Sequence, residues 1–406
     1  LCTECRTRRA AGPLPHHLAA VPVVDLPLGA SARIQAVDGR KMRGEVVGFR
    51  GSRTLLVPLD GAAPYRAGSR IEPDAEASRV ACGKALLGRI IGAHGEPLDG
   101  RGPILARDSW PLHGPVSNPL NRGRVVRPLD LGVRAVNGLL TAGEGQRIAI
   151  IAGSGVGKSV LMGQMLAGSE CDVVVIGLVG ERAREVTDFI ETRLSASMMP
   201  RAVVVAVPAD HPPLLRLRAA MRATAIAEHF RREGKRVLLL IDSLTRVAHA
   251  QREIGLRYRE GRGMAKDSVA AISWLGRAAG SGDAAGALAL ADMLLTGEGG
   301  MAPDVKNATS ILTRAAELGL APAQVRLAEV YASGTEGRPD LIRAYALTLA
   351  AGKDFEPATK LRTELEKKMS KEQLAEAQKE YERLKAKPAA AEPARDAAPA
   401  QDAAKK

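Results

Sequence analysis

From Ser31 onward, short runs of alternating apolar and polar residues (SARIQAV, KMRGEVVGF, RTLLVPL) are separated by Asp38-Gly39 and Gly51-Ser52, and Gly68 marks a further turn before Arg70-Ile71. This pattern predicts closely spaced β-strands and a small barrel or sandwich over about residues 25–75. In LLGRIIGAHGEPLDGRGPI (86–104), Gly and Pro recur too often for a helix, and a structured linker with turns is expected. Beyond Gln146 the rhythm becomes α/β. Ile148–Ile151 is short and apolar enough for a buried strand, and Val160-Leu161-Met162 begin a helical pattern. DVVVIGLVG (172–180), RAVVVAVPA (201–209) and RVLLLID (236–242) read as further buried strands. A long helix is predicted from Pro213 to Arg232, with Leu214, Leu217, Met221, Ala225 and His229 at helical spacing. Such alternation implies a mostly parallel sheet that holds ligands at the carboxyl ends of its strands.

After Leu256 the pattern repeats. Asp267 and Asp304 are 37 residues apart, as are Ala279 and Ala316, and Gly282 and Gly319. GRAAGSGDAAGALALADMLLTGEGG aligns with TRAAELGLAPAQVRLAEVYASGTEG at that spacing, with a partial copy before and a degenerate one after. A period of this length with small residues at helix contacts predicts stacked helical hairpins, which offer grooves for proteins or peptides or else merely pack. SKEQLAEAQKEYERLKAK (370–387) closes the array as a helix. Its Ser370 and Gln373 sit in capping-box positions, and Leu374, Ala377, Tyr381 and Leu384 share one face. From Pro388 to Lys406 the Ala/Pro/Lys/Asp composition cannot bury a core, and disorder is expected.

The length of 406 residues implies two or three domains. A net charge of +13 would suit nucleic acid, anionic lipid or acidic partners. Aromatic residues make up only 3%, however, and Arg is scattered, so stacking platforms for nucleic acid are scarce and no nucleic-acid partner is expected. Four cysteines (Cys2, Cys5, Cys82, Cys171) make no disulfide framework, which fits a reducing compartment. Cys2-x-x-Cys5 has zinc-knuckle spacing without a second pair, and His16-His17 lack the usual spacing to it. No run reaches the ~18 apolar residues of a membrane span. LAAVPVVDLPLG (18–29), broken by two prolines and Asp25, does not read as a signal segment.

The chemistry concentrates in QRIAIIAGSGVGKS (146–159). Gly153, Gly155 and Gly157 let successive N–H groups turn inward, so that they and the next helix N-terminus can hold phosphate oxygens. Lys158 would reach the β/γ-phosphates, and the Ser159 hydroxyl would ligate Mg²⁺. Ala152 stands where the first glycine usually does; the plainer alternative is a strand-to-helix turn that binds nothing. Asp242 ends a strand and can hold Mg²⁺ through water or cap a helix. Glu181 can serve as general base, with Arg182 on the γ-phosphate or holding Glu181; otherwise the pair is an exposed salt bridge.

AGSGVGKS, GERAREVTDF (180–189), ATAIAEHFRREGKRVLLLIDSLTR (223–246) and AQREIGL (250–256) together resemble the flagellar and type III secretion export ATPases, relatives of the rotary ATP synthase β-subunit. EVVGFRG…LLVPL and PLDLGVRAVNGLLTAGEGQ extend the resemblance over about residues 30–256. It implies a multidomain chain with a small β-barrel, an α/β RecA-like P-loop core and a homo-oligomeric ring. At the site it implies that Gly153, Ser154, Gly155, Val156, Gly157, Lys158, Ser159, Val160 and Arg246 bind nucleotide, that Glu181 is the catalytic carboxylate and Arg182 lies near the γ-phosphate, and that Ser159 and Asp242 are the Mg²⁺ side. ATP and Mg²⁺, export-apparatus proteins and chaperone–cargo complexes follow from the same source, whereas a cytoplasmic location is expected from the lack of a signal segment, and peripheral membrane association is compatible with it. The resemblance is expected to stop at Leu256, before the family's remaining sheet strands, adenine-contacting segment and trans-acting arginine, leaving the core incomplete. YREGRGMAKDSVAAISWLGRAA then resembles the Sel-one-like repeats, cousins of the tetratricopeptide repeat.

The expected domains are an N-terminal segment (1–24), a β-barrel (25–78), the P-loop core (79–256), a helical-repeat solenoid (257–387) and a tail (388–406). Three readings follow. One is an export ATPase fused to a partner-binding module. Another is a helical-repeat scaffold carrying a vestigial ATPase fragment. The third is an unnatural join near Leu256, where a sheet rather than a linker would be interrupted.

Overall fold

The alternating N-terminal runs fold into antiparallel strands, as their period of two requires. The computed structural model describes residues 8–9, 19–22 and most of 30–386; residues 1–7, 10–18, 23–29, 36–38, 51–52, 60–69, 75–77, 116–117, 119, 121–122, 153–155, 263–265, 335–336 and 387–406 lie outside the described set. Cys2, Cys5, His16, His17, Gly153, Ser154, Gly155 and the expected disordered tail therefore fall outside it. The first six strands are β1 (Arg8–Arg9), β2 (Ala19–Pro22), β3 (Ser31–Gln35), β4 (Lys41–Arg50), β5 (Arg53–Pro58) and β6 (Arg70–Pro73). They form one sheet in the order β1-β6-β3-β4-β5-β2, with antiparallel neighbours throughout. Ala32, Ile34, Met42, Val46, Leu56 and Ile71 are buried on it.

A two-stranded ribbon follows, β7 (Arg79–Cys82) with β9 (Asp108–Pro111). The stretch expected to be a linker between them contributes a strand of its own, β8 (Arg89–Ile91), which joins the next sheet. Its three residues are too few for a periodicity to show among the glycines. The fork of Arg89 on Asp99, with Nε to Oδ2 at 2.7 Å and Nη2 to Oδ1 at 2.9 Å, folds the following turn back beneath it.

The second sheet runs β12-β10-β11-β8, entirely parallel, with β10 (Val173–Val179), β11 (Ala202–Val207) and β12 (Val237–Asp242). Every residue of β10 and β11 is buried, as continuous Val-rich runs covered on both faces should be. The flanking helices are α1 (Lys158–Gly168), α2 (Ala183–Arg193) and α3 (Pro213–Arg232). Helix α3 begins on a proline at its first position and presses Ala223 toward Gly177 of β10, where an added Cβ would meet the Ala223 methyl at 3.3 Å.

One expectation is corrected. Ile148–Ile151 is not a strand, and Ile148 and Ile151 are 47% and 87% exposed. Only Ile150 turns inward, packing against the cluster of Leu131, Ala142 and Met165. The run is apolar enough for a strand but pairs with no strand among the described residues, where β12 is an edge of the sheet.

Buried charge accompanies the apolar core. Glu45 of β4 lies 3.8 Å from Arg218 of α3, and burial pushes its carboxyl up to about 6, against the pull of Arg218. A folded-state pKa raised above its ordinary 4.5 gives a contribution that is complete below about pH 4.5 and lost as pH rises through 6. The stability of the wild-type chain relative to Glu45→Gln is therefore expected to rise by up to about 2 kcal/mol on going from pH 7 to pH 4.5. Denaturant melts of the two proteins at several pH values check this.

The chain divides into two compact units, 1–247 and 248–406. Helix α4 (Leu244–Glu260) passes from one into the other, so Leu256, where the sequence changes character, lies inside a helix. Among its described residues the second unit has only helices, comprising, after α4, α5 (Ser268–Gly280), α6 (Ala284–Thr296), α7 (Val305–Glu317), α8 (Ala321–Ser333), α9 (Leu341–Ala350), α10 (Glu356–Glu366) and α11 (Lys371–Ala386). The 37-residue period is carried by the helix ends. Asp267 and Asp304 cap α5 and α7 by accepting the N–H three residues on, and Gly297 and Gly334, both at φ 66°, end α6 and α8 in left-handed conformation. Asp340 repeats the cap for α9. Ser370 and Gln373 form the expected capping box, each backbone N–H donating to the other's side chain. Between the helices lies a small-residue core with Ala291, Ala308, Leu312, Ala315, Ala323 and Ala344. Leu312 is fully buried there, and Leu312→Ala is expected to destabilise the second unit by about 2–5 kcal/mol in denaturant unfolding.

Candidate functional site

Parallel strands β10 and β12 end side by side, with Leu178 paired to Asp242, so residues just past either end converge. Helix α1 starts nearby at Lys158. Its N-cap, Gly157, sits at φ 95°, a left-handed conformation that L side chains rarely adopt. The first turn of α1 has no acidic residue and no side-chain cap, which leaves its N–H groups and positive dipole end available to an anion. Val156, Ser159 and Val160 are exposed beside it.

The Lys158 ammonium reaches across to Asp242, and Nζ makes a direct ion pair with Oδ1. Asp242 is buried, so a partner is required there. Glu181, two residues beyond β10, is 16% exposed. Its carboxyl is held above the ordinary range, chiefly by burial and next by the Asp242 charge, while Arg246 and Lys158 oppose the shift. Arg246 Nε lies 3.8 Å from Glu181 Oε1. Gly180 makes that approach feasible: at φ 71° it turns the chain sharply, and a Cβ there would come within 2.9 Å of the Arg246 Cβ.

Of the residues expected at the site, Gly157, Lys158, Glu181, Asp242 and Arg246 are brought together here. Arg182 is placed differently. It caps α2, is largely exposed, and its Nη1 faces Glu185 at 3.7 Å, so the guanidinium beside Glu181 is that of Arg246. Glu185 is not singled out by the motif, yet its side chain hydrogen-bonds Glu181 and adds to the upward shift. The signal for it in the sequence is its closeness to Glu181 in the ERARE run, at the first turn of the helix that follows.

The arrangement fits a nucleoside triphosphate with a divalent cation. A lysine and an arginine flank two carboxylates, one of them buried and already charge-paired, beside a helix N-terminus that no side chain among the described residues caps. Phosphate oxygens can replace the Asp242 carboxylate as the partner of Lys158, and Asp242 is then free to face a cation.

Residues 132–316 match the ATP synthase alpha/beta family, nucleotide-binding domain. Residues 321–353 match the Sel1 repeat. The flagellum-specific ATP synthase of Pseudomonas aeruginosa is 50% identical over 220 residues, which is 54% of this chain and 49% of that protein. The type 3 secretion system ATPase of Sinorhizobium fredii is 40% identical over 298 residues, 72% of this chain and 65% of its own. Among solved structures, the assembled ATPase EscN in complex with its central stalk EscO, from the enteropathogenic E. coli type III secretion system, is similar at 35% identity. It superposes with a TM-score of 0.57 over 62% of this chain and 60% of that one. The chain spans about half the length of curated relatives such as the flagellum-specific ATP synthases of Pseudomonas aeruginosa, Salmonella typhimurium and Bacillus subtilis.

Both resemblances expected from the motifs are therefore present, one to the export ATPases and one to the repeat. The family match extends to residue 316, past Leu256, where the resemblance was expected to end. Over that overlap the chain forms the capped helical hairpins α5 to α7.

Proposed function

We propose that the first unit binds and hydrolyses ATP with Mg²⁺ in the manner of the flagellar and type III export ATPases, and that the helical repeats of the second unit bind a protein or peptide partner. The observation that carries this is the meeting of Lys158, Asp242, Glu181 and Arg246 at the N-terminus of α1. In this reading, residues 153–160 cradle the phosphates and Lys158 neutralises their charge. Glu181 takes a proton from the attacking water, Arg246 holds Glu181 in position, and Arg182 contacts the γ-phosphate after rotating away from Glu185. Ser159, and Asp242 through water, would hold Mg²⁺, which supplies charge neutralisation at the transferring phosphate.

We propose further that the chain works in the cytoplasm and assembles into a homo-oligomeric ring with peripheral membrane association, the assembled state of the similar EscN ATPase supporting an oligomer. It would engage export-apparatus proteins and chaperone–cargo complexes. No helix among the described residues is long and apolar enough to cross a membrane. The domain limits proposed are a β-barrel over 25–78, a RecA-like core over 79–256 and a solenoid over 257–387.

A second reading, a helical-repeat scaffold with an ATPase half that does not turn over, is favoured by the exposure of Ile148 and Ile151 and by the edge position of β12 among the described residues. The two readings part in a phosphate-release assay on the full chain. Mg²⁺-dependent release that disappears in Lys158→Ala supports the first; release no faster than buffer supports the scaffold.

A further inference from the structure

At the other end of the parallel sheet, where α3 gives way to the loop before β12, three potential metal ligands converge. Asp108, His229 and Glu233 each present one ligand atom, and these atoms lie within 4.8 Å of one another. Asp242 ends β12, whereas Glu233 precedes its first residue, Val237, by four positions, so this cluster and the phosphate loop serve opposite strand ends.

Two ligands come from a single helical turn. Glu233 N–H donates to the His229 carbonyl at 3.1 Å, which stacks the two side chains at i and i+4 on one face. The third is supplied by the ribbon: Asp108 opens β9 opposite Cys82, and its Oδ2 lies where a Cβ on Gly83 would be only 2.9 Å away. Gly83, at φ 103°, thus leaves the space into which the carboxylate turns.

The imidazole provides the independent sign of a ligand. His229 is 9% exposed, and its Nε2 is buried without a hydrogen-bond partner among the described residues, 3.4 Å from Glu233 Oε1. Buried polar atoms in native folds are almost always hydrogen-bonded, so a buried ring nitrogen that makes no hydrogen bond, on a histidine whose ligand atom lies within 4.8 Å of carboxylate oxygens of Glu233 and Asp108, points to a cation shared between them. The ring is also fixed in orientation, edge-on to Trp110 at 6.3 Å and to Phe230 at 5.6 Å. The neighbouring cation is drawn aside: the Arg232 guanidinium lies over the Trp110 ring at 5.1 Å, while Trp110 Nε1 donates to Glu228 at 3.0 Å.

We propose that Asp108, His229 and Glu233 bind a divalent transition-metal cation of the zinc class. One imidazole nitrogen with two carboxylate oxygens suits Zn²⁺ and its neighbours and is too nitrogen-rich for a dedicated Mg²⁺ or Ca²⁺ site. The metal would tie the last turn of α3 to the β7–β9 ribbon. It would take no part in phosphate chemistry.

The test uses the full chain, stripped of metal and carrying Cys2→Ser and Cys5→Ser so that the N-terminal thiols do not compete. Co²⁺ titration followed by visible absorption, then Zn²⁺ displacement by calorimetry, should give one equivalent of an N/O-ligated site with no thiolate charge-transfer band. His229→Gln should weaken binding by about 100-fold or more, and Asp108→Asn and Glu233→Gln by at least the ~10–100-fold that losing even an outer-shell partner costs. Glu191→Gln, at an exposed position of α2, should leave the affinity unchanged. Absence of Co²⁺ and Zn²⁺ uptake, uptake unaltered in all three ligand variants, or uptake lost equally in Glu191→Gln would each overturn the proposal. Asp108 and Glu233 are exposed, so their variants decide the matter even where His229→Gln fails to fold.

Discussion

Glu181→Gln is expected to lower the steady-state rate of ATP hydrolysis by about 10²–10⁴-fold, the share a general base contributes, while leaving Mg-ATP affinity within a few-fold of wild type. The substitution keeps the shape of the side chain and its contact with Arg246 but removes the proton acceptor. Burial and the Asp242 charge hold the Glu181 carboxyl above its ordinary range, so the acid limb of the wild-type kcat/KM profile should fall at a higher pH than a free glutamate would give. That limb should vanish in the glutamine variant. A comparable loss of affinity in Glu181→Gln would instead mean that the carboxylate positions nucleotide rather than water.

Lys158→Ala should have a double effect. It removes the cation that would meet the phosphates, worth about 1.5–3 kcal/mol as a charge-assisted contact, so Mg-ATP should no longer raise the melting temperature of the first unit. It also leaves Asp242 buried without its ion-pair partner, so the variant should melt lower than wild type even with no nucleotide present. Lys158 is partly exposed, and water can enter to solvate the orphaned carboxylate, so this second cost should stay near 1–2 kcal/mol rather than that of a fully buried pair. Thermal melts of both proteins with and without Mg-ATP separate the two effects.

Where the chain announces its own local partners, the sequence is easily read. Helix α3 begins and ends where its proline and basic last turn suggest. The Val-rich runs become β10 and β11, because a strand covered on both faces needs only to be apolar throughout. The repeat is legible because its period is written in Asp caps and left-handed glycines, each of which acts within a few residues of itself.

What sequence could not supply was pairing at a distance. Ile148–Ile151 has the composition of a strand, but a strand exists only when a neighbour accepts its hydrogen bonds, and no local pattern reports that. β8 failed in the opposite sense, since three residues among glycines gain their strand identity only from β11. The motif spacing singled out Lys158, Glu181 and Asp242, which the fold brings together. The choice between Arg182 and Arg246 as the neighbour of Glu181 depended on how sharply the chain turns at Gly180, a matter of backbone angle rather than residue order.

The central claim is that Lys158, Asp242 and Glu181 form a working nucleotide site, and titration of Mg-ATP into the full chain by isothermal calorimetry tests it most directly. A saturable one-to-one heat that is absent in Lys158→Ala is the predicted result. The same heat in both proteins, or none in either, would contradict it.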